Sequence, residues 1–233
     1  MTSDESMNVT LGEGLRRLPI YLLLDCSGSM TGAPIEAVRR GVELFAQEVA
    51  ADPYAMETAY IGVITFDSDA RMVTSGLESA ATFRAPQIAA GGMTSLGKAL
   101  RLLLESMAKE LRPTVIGGER GDWKPLVFIL TDGEPTDDWQ TPRSELVNRQ
   151  KNKVLNVITV GCGPNINEAR LKEIAIGPTF RMDASDVSFK TFFKWVSQSV
   201  RVVSRAVSQS GEGDAPSTMS VPEPDRTIIQ YVP

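Results

Sequence analysis

The sequence contains no histidine, and this absence excludes more functions than any residue that is present. It rules out Ser–His and Cys–His nucleophile pairs, zinc sites of the usual type and the commonest general base. The two cysteines, Cys26 and Cys162, are too few for a disulfide scaffold. We predict that both are reduced, buried thiols.

Runs of positive charge and long apolar runs are also missing. The chain of 233 residues has a formal net charge of −5 and no Lys/Arg-rich segment, which argues against nucleic acid as the main partner. No apolar run reaches membrane-spanning length, and the acidic start lacks the basic residues of a secretory signal. We therefore expect a cytoplasmic location and no membrane partner. The length suits one large α/β domain.

The central feature that is present is an apolar strand that ends abruptly in small hydroxylated residues. Residues 20–24 are apolar at every position, which is typical of a strand buried on both faces of a parallel sheet. Asp25, Ser27 and Ser29 follow at once, and Gly28 allows the loop to turn tightly. Because ligands of α/β sheets bind at the carboxyl ends of the strands, we expect these side chains to line a binding site.

Strands and helices alternate along the rest of the chain. Apolar periodicity and composition predict helices over residues 34–50, 96–111, 142–151, 167–175 and 189–207. Apolar runs predict strands over 59–66, 126–130, 155–160 and 179–182, with a short hairpin strand near 71–73. This order predicts a Rossmann-like, doubly wound α/β fold with a mainly parallel sheet, one antiparallel edge strand and helices on both faces.

The two ends of the chain depart from this pattern. We predict a flexible leader over residues 1–15, a single domain over 16–207 and a low-complexity tail over 208–233. The tail is rich in Ser, Gly, Glu and Pro as far as residue 224 and regains apolar character over 226–232. That last stretch is either a loose tail or a strand that pairs with this domain or with a partner.

Three loops are predicted to bring oxygen ligands to one edge of the sheet. They carry Asp25, Ser27 and Ser29 after the first strand, Thr94 before the helix at 96–111, and Asp132 after the strand at 126–130. Two carboxylates and three hydroxyls suit Mg²⁺, or Mn²⁺ or Ca²⁺, better than zinc or copper. Two negative charges at most neutralise a bound dication. If one carboxylate binds through water, the metal keeps Lewis acidity and an open coordination position for an incoming carboxylate. We interpret the other acids near this edge as solvated loop residues: Asp67, Asp69, Glu134, Asp137 and Asp138.

These residues resemble the metal-ion-dependent adhesion site of the von Willebrand factor A domain. The matching stretches are Asp25-Cys-Ser27-Gly-Ser29, the Gly-Gly-Met-Thr94 loop and Thr-Asp132-Gly. The resemblance implies that the two serines and the threonine bind the metal, while the two aspartates bind it directly or through water. It also implies that an acidic residue of a partner protein completes the coordination.

The loop over residues 131–139 indicates a particular branch of this family. Together with residues 161–163 and 180–182, it looks like the bacterial tellurite-resistance TerY-type branch. Proteins of that branch are cytoplasmic and associated with stress-response gene clusters, sometimes beside a kinase and a phosphatase, so these enzymes are implied as candidate partners. Trp139 ends the loop and is either an exposed contact for a partner or a side chain that packs its own loop.

Three other interpretations account for part of the pattern. Residues 92–98 nearly spell a phosphate-binding loop, with Asp132 on a neighbouring strand, but Ala99 stands where a hydroxyl is needed. A phosphatase with Asp25 as its nucleophile needs a second acid where Ser27 stands. A scaffold whose metal only stabilises the fold is the third. Because the site has no nucleophile–base pair, we predict a non-enzymatic module that captures an acidic group of a partner protein.

Overall fold

The first predicted strand, β1 (Leu18–Asp25), lies in the middle of the sheet, and all eight of its residues are buried. It pairs in parallel with β2 (Ala59–Phe66) on one side and with β5 (Leu126–Thr131) on the other. Helices cover both faces of the sheet at β1, so neither face of this strand meets solvent. This explains why the apolar run of β1 is unbroken.

The computed structural model describes residues 16–115, 120–152, 154–164, 166–209 and 221–233. The predicted leader and residues 210–220 of the predicted tail lie outside these ranges. Within them, the parallel sheet continues from β5 to β6 (Asn156–Cys162) and β7 (Thr179–Met182).

Short antiparallel strands close both edges of the sheet. The strands β3 (Ala70–Met72) and β4 (Glu78–Ser79) pair with β2, and β8 (Gln230–Tyr231) pairs with β7. The doubly wound, mainly parallel α/β architecture is confirmed. The antiparallel part is larger than the single edge strand that we predicted, because strands of two residues are too short to leave an alternating pattern in the sequence.

Among the described residues, six α-helices cover the two faces of the sheet. One face carries α1 (Ala33–Ala50), α2 (Pro53–Thr58) and α6 (Asp186–Gln209), and the other carries α3 (Leu96–Glu110), α4 (Gln140–Lys151) and α5 (Glu168–Ile174). The sequence did not predict α2, which is six residues long and begins where Asp52 caps Ala55 N (2.9 Å). In the described parts of the chain, no helix is both long and apolar enough to cross a membrane.

The first and last long helices pack closely because Gly41 presents no side chain to α6. A Cβ atom at this position would lie 2.0 Å from Cδ2 of Phe193. Phe193 is fully buried, so its ring occupies the space beside the α1 backbone.

Residues 221–233 return to the domain and cover the outer edge of β7. Val232 N donates to Thr179 O (2.9 Å), and Trp195 Nε1 donates to Pro222 O (2.6 Å). Ile229 and Val232 are buried in the cores on opposite faces of the sheet. Of the two alternatives for the apolar end, pairing with this domain is the one observed. Folded structure therefore continues past the predicted boundary at residue 207.

Candidate metal centre

Backbone hydrogen bonds join the loop after β1 to the loop before α3. Gly28 N donates to Gly92 O (3.0 Å), and Gly91 N donates to Cys26 O (2.8 Å). A Cβ atom at Gly28 would lie 3.2 Å from Gly92 O, whereas Gly92 has a φ of +76° and no room for a Cβ beside Ser68 Oγ (2.5 Å). The left-handed residue is therefore Gly92. Gly28 begins a short 3₁₀ turn (Gly28–Met30), which agrees with the tight turn predicted for this loop, and its missing side chain also allows the close approach of the two loops.

The side chains of Ser27, Ser29 and Asp132 converge on one point. Ser29 Oγ lies 2.8 Å from Asp132 Oδ1, the two serine Oγ atoms lie 3.1 Å apart, and Ser27 Oγ lies 3.4 Å from Asp132 Oδ1. In octahedral Mg²⁺ coordination with Mg–O distances of about 2.1 Å, neighbouring ligand oxygens are separated by about 3 Å. The three oxygens are therefore spaced as adjacent ligands of a small divalent cation would be.

Asp25 lies beside this oxygen triangle and is fully buried. Its Oδ1 accepts a hydrogen bond from Ser27 N (2.9 Å), and its Oδ2 accepts one from Thr131 Oγ1 (2.6 Å). None of the ion pairs among the described residues includes Asp25 or Asp132. Burial raises the pKa of both carboxyl groups, and hydrogen bonds from the neighbouring serines oppose this rise. Two desolvated carboxylates without a cationic partner fit a bound cation, which would stabilise their charged forms.

Thr94 approaches the same edge from the loop before α3. Its side chain is nearly buried, and a Cβ atom at Gly133 would lie 3.3 Å from Thr94 Oγ1. Thr94 O accepts a hydrogen bond from Thr136 N (2.9 Å), which joins this loop to the loop after β5. The structure thus brings all five predicted ligands to one edge, with Thr94 placed beside the residue that follows Asp132.

Trp139 does not lie on the surface of this site. Trp139 directly precedes α4 in the chain. The residue is 8% exposed, and its side chain packs in the core on the face of the sheet that carries α3 and α4. The interpretation of Trp139 as an exposed partner contact is therefore wrong, and a packing role is what the structure shows. A tryptophan in a polar loop gives no sign in the sequence of which way its ring turns.

The two cysteines are buried and free, as predicted. Burial raises the pKa of Cys26 to about 12 and raises that of Cys162 well above its ordinary value. The side-chain atoms that converge at this edge are oxygens, from Ser27, Ser29 and Asp132.

Two further residues support the site, and we did not identify their roles from the sequence. Thr131 holds Asp25 through its buried hydroxyl, and its position directly before Asp132 is the one signal that pointed to it. Asp137, interpreted as a solvated acid, instead accepts hydrogen bonds from Gly97 N and Lys98 N (both 2.8 Å) at the start of α3.

The contacts of Asp137 bear on the phosphate-binding alternative. Its carboxylate occupies the helix N-terminus at which a phosphate would bind. Lys98 Nζ donates to Ser68 O (2.8 Å) and lies 3.4 Å from Asp69 Oδ1. No described strand leads into Gly92, so the segment lacks the strand–loop–helix geometry of a phosphate-binding loop.

Comparison with known families identifies the domain that carries these loops. Residues 20–195 match the von Willebrand factor type A (VWA) domain. The chain belongs to this family. The VWA chain is 31% identical over 166 residues to an uncharacterised protein of Synechocystis, an alignment that covers 69% of this chain and 36% of that protein. It therefore spans about a third of the length of the curated relative it matches.

Solved structures share the fold of this VWA domain at low identity. A von Willebrand factor type A protein from Catenulispora acidiphila is 18% identical (TM-score 0.60), over 80% of this chain and 43% of that one. The pilus adhesin SpaC from Lactobacillus rhamnosus GG is 17% identical (TM-score 0.62), over 81% and 30%. Proximal thread matrix protein 1 from the mussel byssus is 18% identical (TM-score 0.54), over 82% and 47%, and its structure has a zinc-occupied metal-ion-dependent adhesion site.

Proposed function

We propose that this VWA domain is a non-enzymatic module that binds Mg²⁺ and uses it to capture an acidic group of a partner protein. The proposed ligands are Asp25, Ser27, Ser29, Thr94 and Asp132. The observation that carries the proposal is the triangle formed by Ser27 Oγ, Ser29 Oγ and Asp132 Oδ1, with separations of 2.8 to 3.4 Å. Membership of a family whose domains commonly act as metal-dependent interaction modules supports it.

The chain's own residues prepare an open site. Ser29 is exposed, so the triangle faces solvent on one side, whereas Asp25 is closed off on the other. The hydrogen bonds from Ser27 N and Thr131 Oγ1 fix the Asp25 carboxylate in place before any ligand arrives. When bound, the metal would supply Lewis acidity at an exchangeable position, which a carboxylate of the partner fills.

The donor set favours a hard divalent cation, because hydroxyl and carboxylate oxygens are the ligands that Mg²⁺, Mn²⁺ and Ca²⁺ prefer. The separations in the triangle, 2.8 to 3.4 Å, suit neighbouring ligands of such an ion, and we propose Mg²⁺ with Mn²⁺ or Ca²⁺ as alternatives. Catalysis is not part of the proposal, because the sequence has no histidine and we propose the two serine hydroxyls and the Asp132 carboxylate as ligands of the metal.

The partner is proposed to belong to a bacterial tellurite-resistance or stress-response system in the cytoplasm. The support is the likeness of residues 131–139 to the TerY-type branch. That branch makes a kinase, a phosphatase or another tellurite-resistance protein a candidate for the acidic partner.

Metal-dependent capture by the folded chain is the direct test. Immobilised wild-type protein is exposed to a lysate of the source organism in Mg²⁺ and in EDTA, beside the Asp25→Asn and Asp138→Asn variants in Mg²⁺. We expect one or more proteins to be retained by the wild type and by Asp138→Asn in Mg²⁺. The same proteins should be absent from the wild type in EDTA and from Asp25→Asn in Mg²⁺. Asp138 is the matched control, because it is an exposed acid at the same edge that pairs with Arg101 (2.8 Å).

Thermal melting of each bait separates loss of capture from loss of fold. Equal retention in all four samples would contradict metal-dependent capture. The metal would then have a structural role only, which is the scaffold interpretation.

A further inference from the structure

The surface around the metal centre is built from small, uncharged residues. In the loop after β1 the exposed positions are Gly28, Ser29, Thr31 and Gly32, and Ala33 at the start of α1 is also exposed. Small side chains allow the main chain of a partner to approach closely. With Asp25 and Asp132 balanced by a dication, the centre itself is electrically neutral.

The charged side chains that flank these loops are paired with one another. The pairs are Lys98 with Asp69 (3.4 Å), Arg101 with Asp138 (2.8 Å) and Arg170 with Glu134 (3.9 Å). Each pair carries no net charge, so these three pairs give the surface no excess of one sign. Shape and apolar contact are therefore the features by which we expect this surface to distinguish acidic partners.

Met93 is the large apolar side chain that this surface presents. It is 57% exposed, and of the eight exposed large hydrophobic residues in the described parts of the chain it is the one in the three site loops. Its N–H donates to Ser68 Oγ (3.1 Å), and it lies between Gly92, with its φ of +76°, and the candidate ligand Thr94. The backbone thus holds Met93 beside the centre and in solvent. Methionine adapts its shape to apolar partners.

We propose that Met93 selects partners in which a large apolar side chain lies next to the acidic residue that reaches the metal. The acidic group supplies the last ligand, and its apolar neighbour packs on Met93. This inference rests on the proposed metal-dependent capture, and it adds the chemical class of the segment that is captured.

A displayed peptide library with a fixed central glutamate and randomised flanking positions tests the proposal. Selection is carried out on the wild-type chain in Mg²⁺ and in EDTA, and on Met93→Ala and Met56→Ala in Mg²⁺. Met56 is the matched control, because it is 40% exposed but lies on α2, before the amino end of β2.

We expect Mg²⁺-dependent peptides with Leu, Ile, Met or Phe within two positions of the glutamate. Because the alanine at position 93 removes the apolar contact, the dissociation constants of these peptides should be about tenfold larger for Met93→Ala and unchanged for Met56→Ala. The same apolar preference on Met93→Ala, or Mg²⁺-dependent peptides without such a preference, would overturn the role of Met93 alone. No Mg²⁺-dependent peptide at all would overturn the proposed function together with it.

Discussion

In the metal-free fold, the negative charge of the Asp25 side chain is unfavourable, whereas its shape fits the space around it. The side chain is fully buried and pairs with no cation among the described residues, and burial raises its pKa. Asparagine is nearly identical in shape. Its carbonyl would still accept from Ser27 N, and its amide would donate to Thr131 Oγ1, which has Gly133 O (3.4 Å) as an alternative acceptor.

We therefore predict that Asp25→Asn is more stable than the wild type in EDTA at pH 7, by about 1 kcal/mol or about 2–4 °C in melting temperature. Because the folded pKa is raised, the wild type loses the contribution of Asp25 as the pH rises through that folded value. The difference should vanish below the ordinary pKa of 3.8, where both side chains are neutral.

Added Mg²⁺ should reverse the order, because only the wild type keeps both carboxylates. Thermal melting over a pH series, with and without Mg²⁺, checks both parts. A variant that melts below the wild type in EDTA at pH 7 would show that the buried charge is not the unfavourable group.

At the scale of single residues, the sequence predicted which side chains share an edge of the sheet but not how each one is used. Asp25, Ser27, Ser29 and Asp132 were predictable, because chemistry-bearing residues at the carboxyl ends of parallel strands meet. Thr94 follows no strand, and the resemblance of its loop to the family motif supported its prediction. Trp139 and Asp137 were not predictable. Asp137 caps α3 and Trp139 packs in the core on the same face of the sheet, and because α3 is distant in the chain, local composition contains no record of the burial or the helix capping.

Among the helices, the packing of α1 on α6 depends on the missing side chain of Gly41. We predict that Gly41→Ala destabilises the fold by about 1–3 kcal/mol, because the added methyl group would overlap the buried ring of Phe193. Denaturant unfolding measures the change. The double variant Gly41→Ala/Phe193→Leu should lose less free energy of unfolding than the sum of the losses in the two single variants, because the smaller side chain makes room for the methyl group. Strict additivity would contradict this account.

Long elements were predicted well and short ones poorly, for the same physical reason. Helices such as α1, α3 and α6 repeat their apolar pattern over several turns, so the period is clear in the sequence. The two-residue strands β4 and β8 have no period. They exist because a neighbouring strand offers free backbone groups, and that is a property of the assembled sheet.

At the scale of the whole molecule, residues 221–233 complete the fold beyond the last helix. We predict that a chain ending at Gln209 melts at a lower temperature but still gains stability from Mg²⁺, since the metal centre lies at β1 and β5. Loss of Ile229 and Val232 removes two side chains whose full burial contributes about 1.5–3 kcal/mol each.

Two point variants in the 233-residue chain separate packing from chain length. Ile229→Ala should reproduce part of the loss, whereas Gln230→Ala, at the next position and exposed, should have little effect. Equal melting temperatures for the 233-residue and shortened chains would show that the segment adds no stability.

The short strands at the two edges of the sheet also govern how molecules of this protein meet at high concentration. The interior strands are apolar along their whole length, a composition found in fibril-forming segments. Edge strands of two or three residues expose few unpaired N–H and C=O groups, so another chain has little backbone on which to add. We therefore expect contacts between molecules at high concentration to form through loops and helices rather than by addition of a strand to the sheet.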